Sequence, residues 1–346
     1  MCGLFGFIGE SKNPQITENL STALFVKTQT RGTDASGFYC VETFPKKQIA
    51  YYKKPIPASE FINLNEYKKI WQHNWNLGLF HCRAASAGVG IPAYNENNHP
   101  FVSTDLKKAV IHNGLIAKQE YELLRKYYEL ETECDSEILL RIFEQDEKFQ
   151  DNAKKFFHYG ENSHYAVVFA ETDENYRKMH LFRNMHRPLV LVDLLDELGQ
   201  VFFCSTSDIF FDSLSLLDKE LKNVKIYEIP QDSYIELSLQ EENKIDLKKY
   251  QVAIEKNGKK PELSFKSICK NTSEWKNILS TKNIEEVREI LSKMSHKLVG
   301  QANLIEQQLN KENNKLKDKQ KINQVFSNLR DMNKRCELIL KSLGES

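Results

Sequence analysis

The first residue of this chain that could do chemistry is the cysteine directly after the initiator methionine, in the run Met1-Cys2-Gly3-Leu4-Phe5-Gly6-Phe7-Ile8-Gly9. Methionine is usually trimmed when the next side chain is small, and cysteine qualifies. Trimming would leave a thiol and a free α-amine on one residue. An α-amine has a pKa of about 8 and can accept the thiol proton, so Cys2 would supply both nucleophile and base. N-terminal threonine nucleophiles work by the same logic. The plain alternative is an incidental cysteine on a frayed terminus, and later segments of the chain weigh against it.

Arg83 stands at the end of a strand-like run among small residues, His81-Cys82-Arg83-Ala84-Ala85-Ser86-Ala87-Gly88. A guanidinium in such a place suits a carboxylate, because its fork of donors matches the two oxygens; an ordinary ion pair is the simpler use. Asn113-Gly114 closes another strand-like run, from Lys108 to His112. The pair is commonly a turn. It can also aim a side-chain amide and a backbone N–H in one direction, as an oxyanion hole requires. Arg31-Gly32-Thr33-Asp34-Ala35-Ser36-Gly37 reads as a tight turn. Asn98-His99-Pro100-Phe101 precedes a strand. Asp135, in Glu133-Cys134-Asp135-Ser136-Glu137, is by itself a natural helix N-cap.

The elements that must position these residues follow from periodicity. Residues 4–8 read as a buried strand closed by Gly9. Apolar residues at helical spacing predict a helix over 15–29 and another at about 118–130, and Glu133-Cys134-Asp135-Ser136-Glu137 opens a further helix that runs through Phe143. Phe38–Val41 and Trp75–Phe80 read as strands. So do Tyr165–Ala170, Met179–Phe182, Leu189–Val192, Gln200–Cys204, Val224–Ile229 and Ser233–Leu239, rich in β-branched and aromatic residues between turn signals. Residues 251–283 read as a linker, with the charged, glycine-containing stretch Glu255–Lys260 inside it. Beyond it, residues 284–346 are nearly free of glycine and proline. Leu291, Met294, Leu298, Ala302 and Ile305, then Ile322, Val325, Phe326 and Leu329, predict a coiled-coil-like helical hairpin suited to homodimerisation.

The 346 residues allow two domains, with a catalytic one over 1–250. Formal net charge is zero, which points to neither nucleic acid nor membrane as partner. Seven cysteines without CxxC pairs argue against a disulfide framework and a zinc site, and for a reduced, cytoplasmic setting. No metal or other cofactor is expected. No signal peptide or membrane span is legible in the sequence.

Taken together, about residues 2–240 resemble class II (N-terminal nucleophile, Ntn-hydrolase) glutamine amidotransferase domains. The resemblance rests on Cys2-Gly3, Arg31-Gly-x-Asp34-x-x-Gly37, Arg83-x-x-Ser86-x-Gly88, His99-Pro100-Phe101, His112-Asn113-Gly114 and Asp135-Ser136-Glu137, in the family's order. Arg183, Arg187-Pro188-Leu189 and Phe203-Cys204-Ser205-Thr206-Ser207-Asp208 fit its second sheet. It implies an α+β fold, a four-layer α-β-β-α sandwich, here followed by the helical hairpin. It implies that Cys2 attacks the glutamine side-chain amide and forms a thioester that water hydrolyses. Asn113 and the Gly114 N–H would then form the oxyanion hole, Arg83 would bind the α-carboxylate, and Asp135 the α-ammonium. Arg31 and Asp34 would shape the pocket, with Ser86 in its wall and His99 at its edge. Two positions depart from the common pattern: Ala84 stands where an aromatic residue is frequent, and Ser86 where threonine is.

No ammonia-using synthase segment is legible after residue 240. The expectation is therefore a stand-alone glutaminase handing ammonia to a separate partner protein. The alternatives are hydrolysis of another γ-glutamyl amide, or a non-enzymatic sensor or scaffold acting through the helical tail.

Overall fold

A computed structural model describes residues 1–42, 48–86, 90–145, 149–159, 162–173, 176–217, 221, 224–231, 233–239, 245–257 and 260–269. The expected hairpin at 284–346 lies outside them. The chain divides into one unit of residues 1–221 with 225–279 and another of 222–224 with 280–346. The first unit holds every strand and helix among the described residues.

Its strands are β1 (Gly3–Ile8), β2 (Ala35–Glu42), β3 (Gln48–Lys54), β4 (Leu77–Arg83), β5 (Phe101–Val102), β6 (Lys108–Leu115), β7 (His164–Thr172), β8 (Arg177–Arg183), β9 (Val190–Leu194), β10 (Gln200–Cys204), β11 (Lys225–Glu228), β12 (Ser233–Leu239), β13 (Ile245–Asn257) and β14 (Lys260–Cys269). Its helices are α1 (Pro14–Thr28), α2 (Ala58–Phe61), α3 (Asn65–Ile70), α4 (Lys118–Leu124), α5 (Glu137–Phe143), α6 (Phe149–Tyr159), α7 (Leu195–Leu198) and α8 (Ser207–Leu214). The strands make two seven-stranded sheets, ordered β11-β9-β10-β1-β4-β2-β3 and β14-β13-β12-β8-β7-β6-β5. Neighbouring strands pair antiparallel throughout, as in β1 with β4 and β6 with β7.

Strand β1 sits mid-sheet and is buried along its whole length. Side chains alternate across a strand, and here both faces meet apolar partners. Leu4 and Ile8 enter the core between the sheets, with Tyr39, Leu79, Ile111, Val168 and Ile235. Phe5 turns the other way, against Phe25 of α1 at 5.5 Å and Phe80 at 4.5 Å between ring centres. That double burial is why the sequence reads as an unbroken apolar run. Helix α1 starts on Pro14, with the Asn13 side chain capping the Ile16 N–H at 3.2 Å. On the second sheet, Phe143 of α5 and Phe149 and Phe156 of α6 cover Phe169 and Phe182. Each fully buried phenylalanine contributes about 1.5–3 kcal/mol.

The start of the expected linker is strand instead. Residues 245–257 and 260–269 pair as β13 and β14 and extend the second sheet. Val252 and Ile254, then Leu263 and Phe265, recur at every second position, the period of a strand. Of the charged stretch Glu255–Lys260, Glu255, Lys256 and Asn257 close β13 and Lys260 opens β14, and its composition masked that alternation. No helix among the described residues is long and apolar enough to cross a membrane.

Candidate active site

Pairing of β1 with β4 places Gly3 opposite Cys82. Pairing of β2 with β4 places Ala35 opposite Arg83. Cys2, Arg83 and Asp34 therefore converge on one end of the first sheet, although long stretches of sequence separate them. Cys2 is 9% exposed. Its Sγ accepts the Ala84 N–H at 3.4 Å and lies 3.6 Å from the Ala84 carbonyl oxygen. Arg31 Nε donates to the Cys2 carbonyl at 2.9 Å, so Arg31 holds the nucleophile's own backbone. Asp34 Oδ2 accepts the Ala85 N–H at 2.7 Å. The strand end that faces the thiol is thus tied down from two sides. Gly32 is required for this approach: a Cβ there would lie 2.4 Å from the Ala84 nitrogen.

Burial raises the Cys2 thiol pKa and is the largest influence on it. The Ala84 N–H, the chain's N-terminal ammonium and the Arg83 guanidinium pull it down, while Asp135 pushes it up. Cys40, by contrast, is raised well above its ordinary value by burial alone. Positive groups around a thiol favour the thiolate, the reactive form. Arg83 and Asp135 both act on Cys2 through space, so the two charges expected to bind an amino-acid head group share the thiol's surroundings.

The Arg83 side chain is buried. Its Nη1 donates to Asn98 Oδ1 at 2.7 Å and its Nη2 to the Gly90 carbonyl at 2.8 Å. These two partners are neutral. Asp135 is not a helix cap: Ser136 occupies that position on α5. The Asp135 carboxylate instead accepts the Ile116 N–H at 2.8 Å and the Ser136 hydroxyl at 3.3 Å. A cleft of about 980 Å³ opens beside it, with Ala85, Ser86, Gly90 and Ile91 on its wall together with Leu115, Ile116, Tyr121 and Asp135. Cys2 does not line the cleft; its contact, Ala84, is the residue before two that do.

Asn113 and Gly114 are not a turn. They lie inside β6, paired with Ala166 and Tyr165. The Asn113 side chain is 1% exposed, and neither its Oδ1 nor its Nδ2 has a hydrogen-bond partner among the described residues. Gly114 is forced by crowding, since a Cβ would come 1.8 Å from the His164 carbonyl oxygen. His112 stays fixed by Ser136 Oγ at 2.8 Å from its Nδ1, and its carbonyl meets His81 Nε2 at 3.0 Å, joining the two sheets. His99 is not at the edge of the cleft. It is buried, stacked on His81 at 4.0 Å and packed edge-on to Phe101, with both ring nitrogens unpartnered among the described residues. Gly88 lies outside the described residues.

Sequence reasoning missed Ala84 as the thiol's contact, because a backbone group leaves no trace in residue type. It also missed Asn98 as the partner of Arg83. Asn98 does stand in the quoted Asn98-His99-Pro100-Phe101 run, but the sequence could not show which residue it serves.

With this geometry in hand, the fold compares with a solved structure of glutamine phosphoribosylpyrophosphate amidotransferase from B. subtilis. The match has a TM-score of 0.50 at 19% identity, over 72% of this chain and 49% of that one, and shows a shared fold. In sequence, the chain is 30% identical over 148 residues to glutamine–fructose-6-phosphate aminotransferase (isomerizing) of Bacteroides thetaiotaomicron, covering 42% of this chain and 22% of that protein. It is 28% identical over 200 residues to the enzyme of the same name from Thermococcus kodakarensis, covering 55% and 30%. The chain thus spans less than a third of the length of these relatives. No protein-family model matches it. The resemblance to glutamine amidotransferase domains read from the motifs is shown by these matches.

Proposed function

We propose that the chain hydrolyses the side-chain amide of glutamine through Cys2, once Met1 is removed, and releases ammonia. The observation that carries this reading is the shared setting of Cys2, Arg83 and Asp135: a buried thiol on a backbone N–H, with one cation and one anion acting on it beside an open cleft.

In this reading the freed α-amine takes the thiol proton and Sγ attacks the γ-carbonyl carbon. Negative charge moves to the carbonyl oxygen, where Asn113 Nδ2 and the Gly114 N–H donate to it. The intermediate collapses, the C–N bond breaks, and the proton held by the amine leaves with ammonia. Water, deprotonated by the same amine, then cleaves the thioester to glutamate and restores the thiol. Arg83 takes the α-carboxylate and Asp135 the α-ammonium. Ser86 lies in the pocket wall. Arg31 and Asp34 hold Cys2 and residues 84–85 in register. Ammonia passes to a separate partner protein, and the segment 284–346 pairs two copies of the chain.

The test is ammonia release from glutamine, with intact-mass measurement of the N-terminus. The expected mature protein begins at Cys2, and Cys2→Ala abolishes release while leaving the folded core intact. An active protein that keeps Met1 overturns the mechanism. The size of the cleft favours one second reading. About 980 Å³ is near the upper end of pockets for drug-sized ligands, so a larger γ-glutamyl amide would fit. A kcat/KM for such an amide well above that for glutamine selects it. No hydrolysis of either leaves the scaffold reading.

A further inference from the structure

We propose that Lys53 is a positioning residue for the Arg83 clamp, acting through the backbone of residues 96–100 and the side chain of Asn98. The inference rests on the glutaminase reading for its kinetic consequence, but its geometry stands without it.

Lys53 lies on β3, an edge strand, where a lysine would ordinarily point to solvent. Its ammonium instead meets three carbonyl oxygens: Asn98 at 2.6 Å, Glu96 at 3.1 Å and Pro100 at 3.3 Å. It also sits 4.9 Å from the centre of the Phe101 ring. The Lys53 carbonyl accepts from Asn95 Nδ2 at 2.8 Å, so one residue grips the segment from both of its ends. What it grips is the mount of Asn98, whose Oδ1 receives Arg83 Nη1. Asn98 Nδ2 reaches back to the Pro92 carbonyl and to Asn95 Oδ1. A chain of contacts therefore runs from Lys53 through Asn98 to Arg83.

An ammonium has three N–H donors, and there are three oxygens. A neutral amine has two donors and a lone pair, which would face the third oxygen and repel it. Burial, the largest influence, lowers the Lys53 pKa to about 8. Cys134, Glu96 and Glu137 oppose that, and Arg83 adds to it. His99, buried nearby, feels the same positive charge. Lys53 therefore loses its proton within reach of ordinary assays. The grip on Asn98 weakens above pH about 8, and affinity for glutamine weakens with it.

The experiment compares the full chain with Lys53→Met and Lys53→Arg. Losing charge-assisted bonds should raise the KM for glutamine about tenfold in Lys53→Met with kcat nearly unchanged. The rate of Cys2 alkylation by a glutamine-shaped diazoketone should fall in parallel, while alkylation by iodoacetamide, which has no amino-acid head group, should not change. A purely structural lesion would slow both reagents, and that result, or an unchanged KM, overturns the proposal. If Lys53→Met fails to fold, the pH profile decides. The wild-type KM should climb above pH about 8 more steeply than that of Lys53→Arg, whose guanidinium does not titrate there; equal climbs overturn it. If the wild type leaves glutamine intact, the functional reading falls instead. The positioning role is then decided by the Arg83 Nε–H resonance, which should broaden or shift in Lys53→Met and overturns the proposal if it stays put.

Discussion

The second sheet carries two buried polar clusters. On its outer face, under α6, His180 Nδ1 meets the Tyr234 hydroxyl at 2.7 Å, and Tyr234 donates to Glu236 at 2.9 Å. Lys248 closes on Glu236 at 3.2 Å. On the other side of the ring, Glu171 lies 3.3 Å from His180 Nε2, without the alignment of a hydrogen bond, and 3.2 Å from Lys178. Phe149 stacks on the ring at 3.8 Å. In the other cluster, toward the first sheet, the Asn113 amide and both nitrogens of His99 are buried without a partner among the described residues. Burying an unpaired polar group costs about 1–3 kcal/mol. The outer cluster has little reason to exist except to hold strands together. The inner one bears a cost that a bound substrate can offset, and unpaired buried groups of this kind are grounds to look for a site.

The sharpest way to break this comparison is Asn113→Ala. If the amide donates to a developing oxyanion, kcat for ammonia release falls about 10²–10³-fold. The melting temperature should barely change, because the removed amide has no partner to abandon. Steady-state kinetics beside a thermal melt read both numbers. A large loss of stability with modest loss of rate would make Asn113 a structural residue, like those of the outer cluster.

Glu171→Gln probes the opposite side. Burial, the largest influence, would raise the Glu171 carboxyl. His180 and Lys178 together outweigh it and hold the pKa down to about 2, from an ordinary 4.5. A carboxyl depressed on folding stabilises the protein above its unfolded pKa. That contribution is lost as pH falls from about 4.5 through about 2. It amounts to about 3 kcal/mol at neutral pH. Glu171→Gln should lose that stability at pH 7 and flatten the stability curve below pH 4.5, with glutamine kinetics unchanged. Denaturant melts at pH 7 and pH 3 check it; an equal loss at both would remove the ionic explanation.

Some of this was legible in the sequence. Strand β12 falls on the residues expected, Ser233–Leu239, and helix α5 ends at Phe143 as expected but starts at Glu137, later than a cap at Asp135 would start it; each combines a clear period with turn or cap residues at its ends. Strand β3 was not expected: its QIAYYKK run is half-exposed, so burial does not impose alternation on it. The helix from Lys118 ends at Leu124, although nothing in the local composition stops it there. At the site, residue types and their order were readable from the motifs. Adjacency was not. The approach of Cys2 to Ala84 depends on the β1–β4 register, and that of Arg83 to Asn98 on a connection between sheets. Two sequence-level alternatives, a turn at Asn113-Gly114 and a cap at Asp135, fell only once β6 and the carboxylate's bond to Ile116 were seen.

The smallest effect expected, and the one most specific to the comparison, is that of Tyr234→Phe. The ring stays, so its packing 5.2 Å from Phe149 is kept and no cavity opens. Only the hydroxyl goes. His180 Nδ1 then loses a partner at 2.7 Å and Glu236 one at 2.9 Å, yet Glu236 keeps Lys248 and His180 keeps its contact with Glu171. One group loses its aligned bond outright and the other only part of its set, so the cost should sit near the low end for buried hydrogen bonds, about 1–2 kcal/mol. Burial, again the largest influence on Glu236, would raise its pKa. His180, Lys248 and the Tyr234 hydroxyl hold it below the usual range, so removing the hydroxyl also moves part of the acid limb toward higher pH. A denaturant midpoint that falls with unchanged slope, beside an unaltered kcat/KM for glutamine, fits a cluster that serves the fold alone. A change in kcat/KM with no change in midpoint would mean that the outer cluster reaches the active site, and that partnered and unpartnered groups do not divide the work as argued.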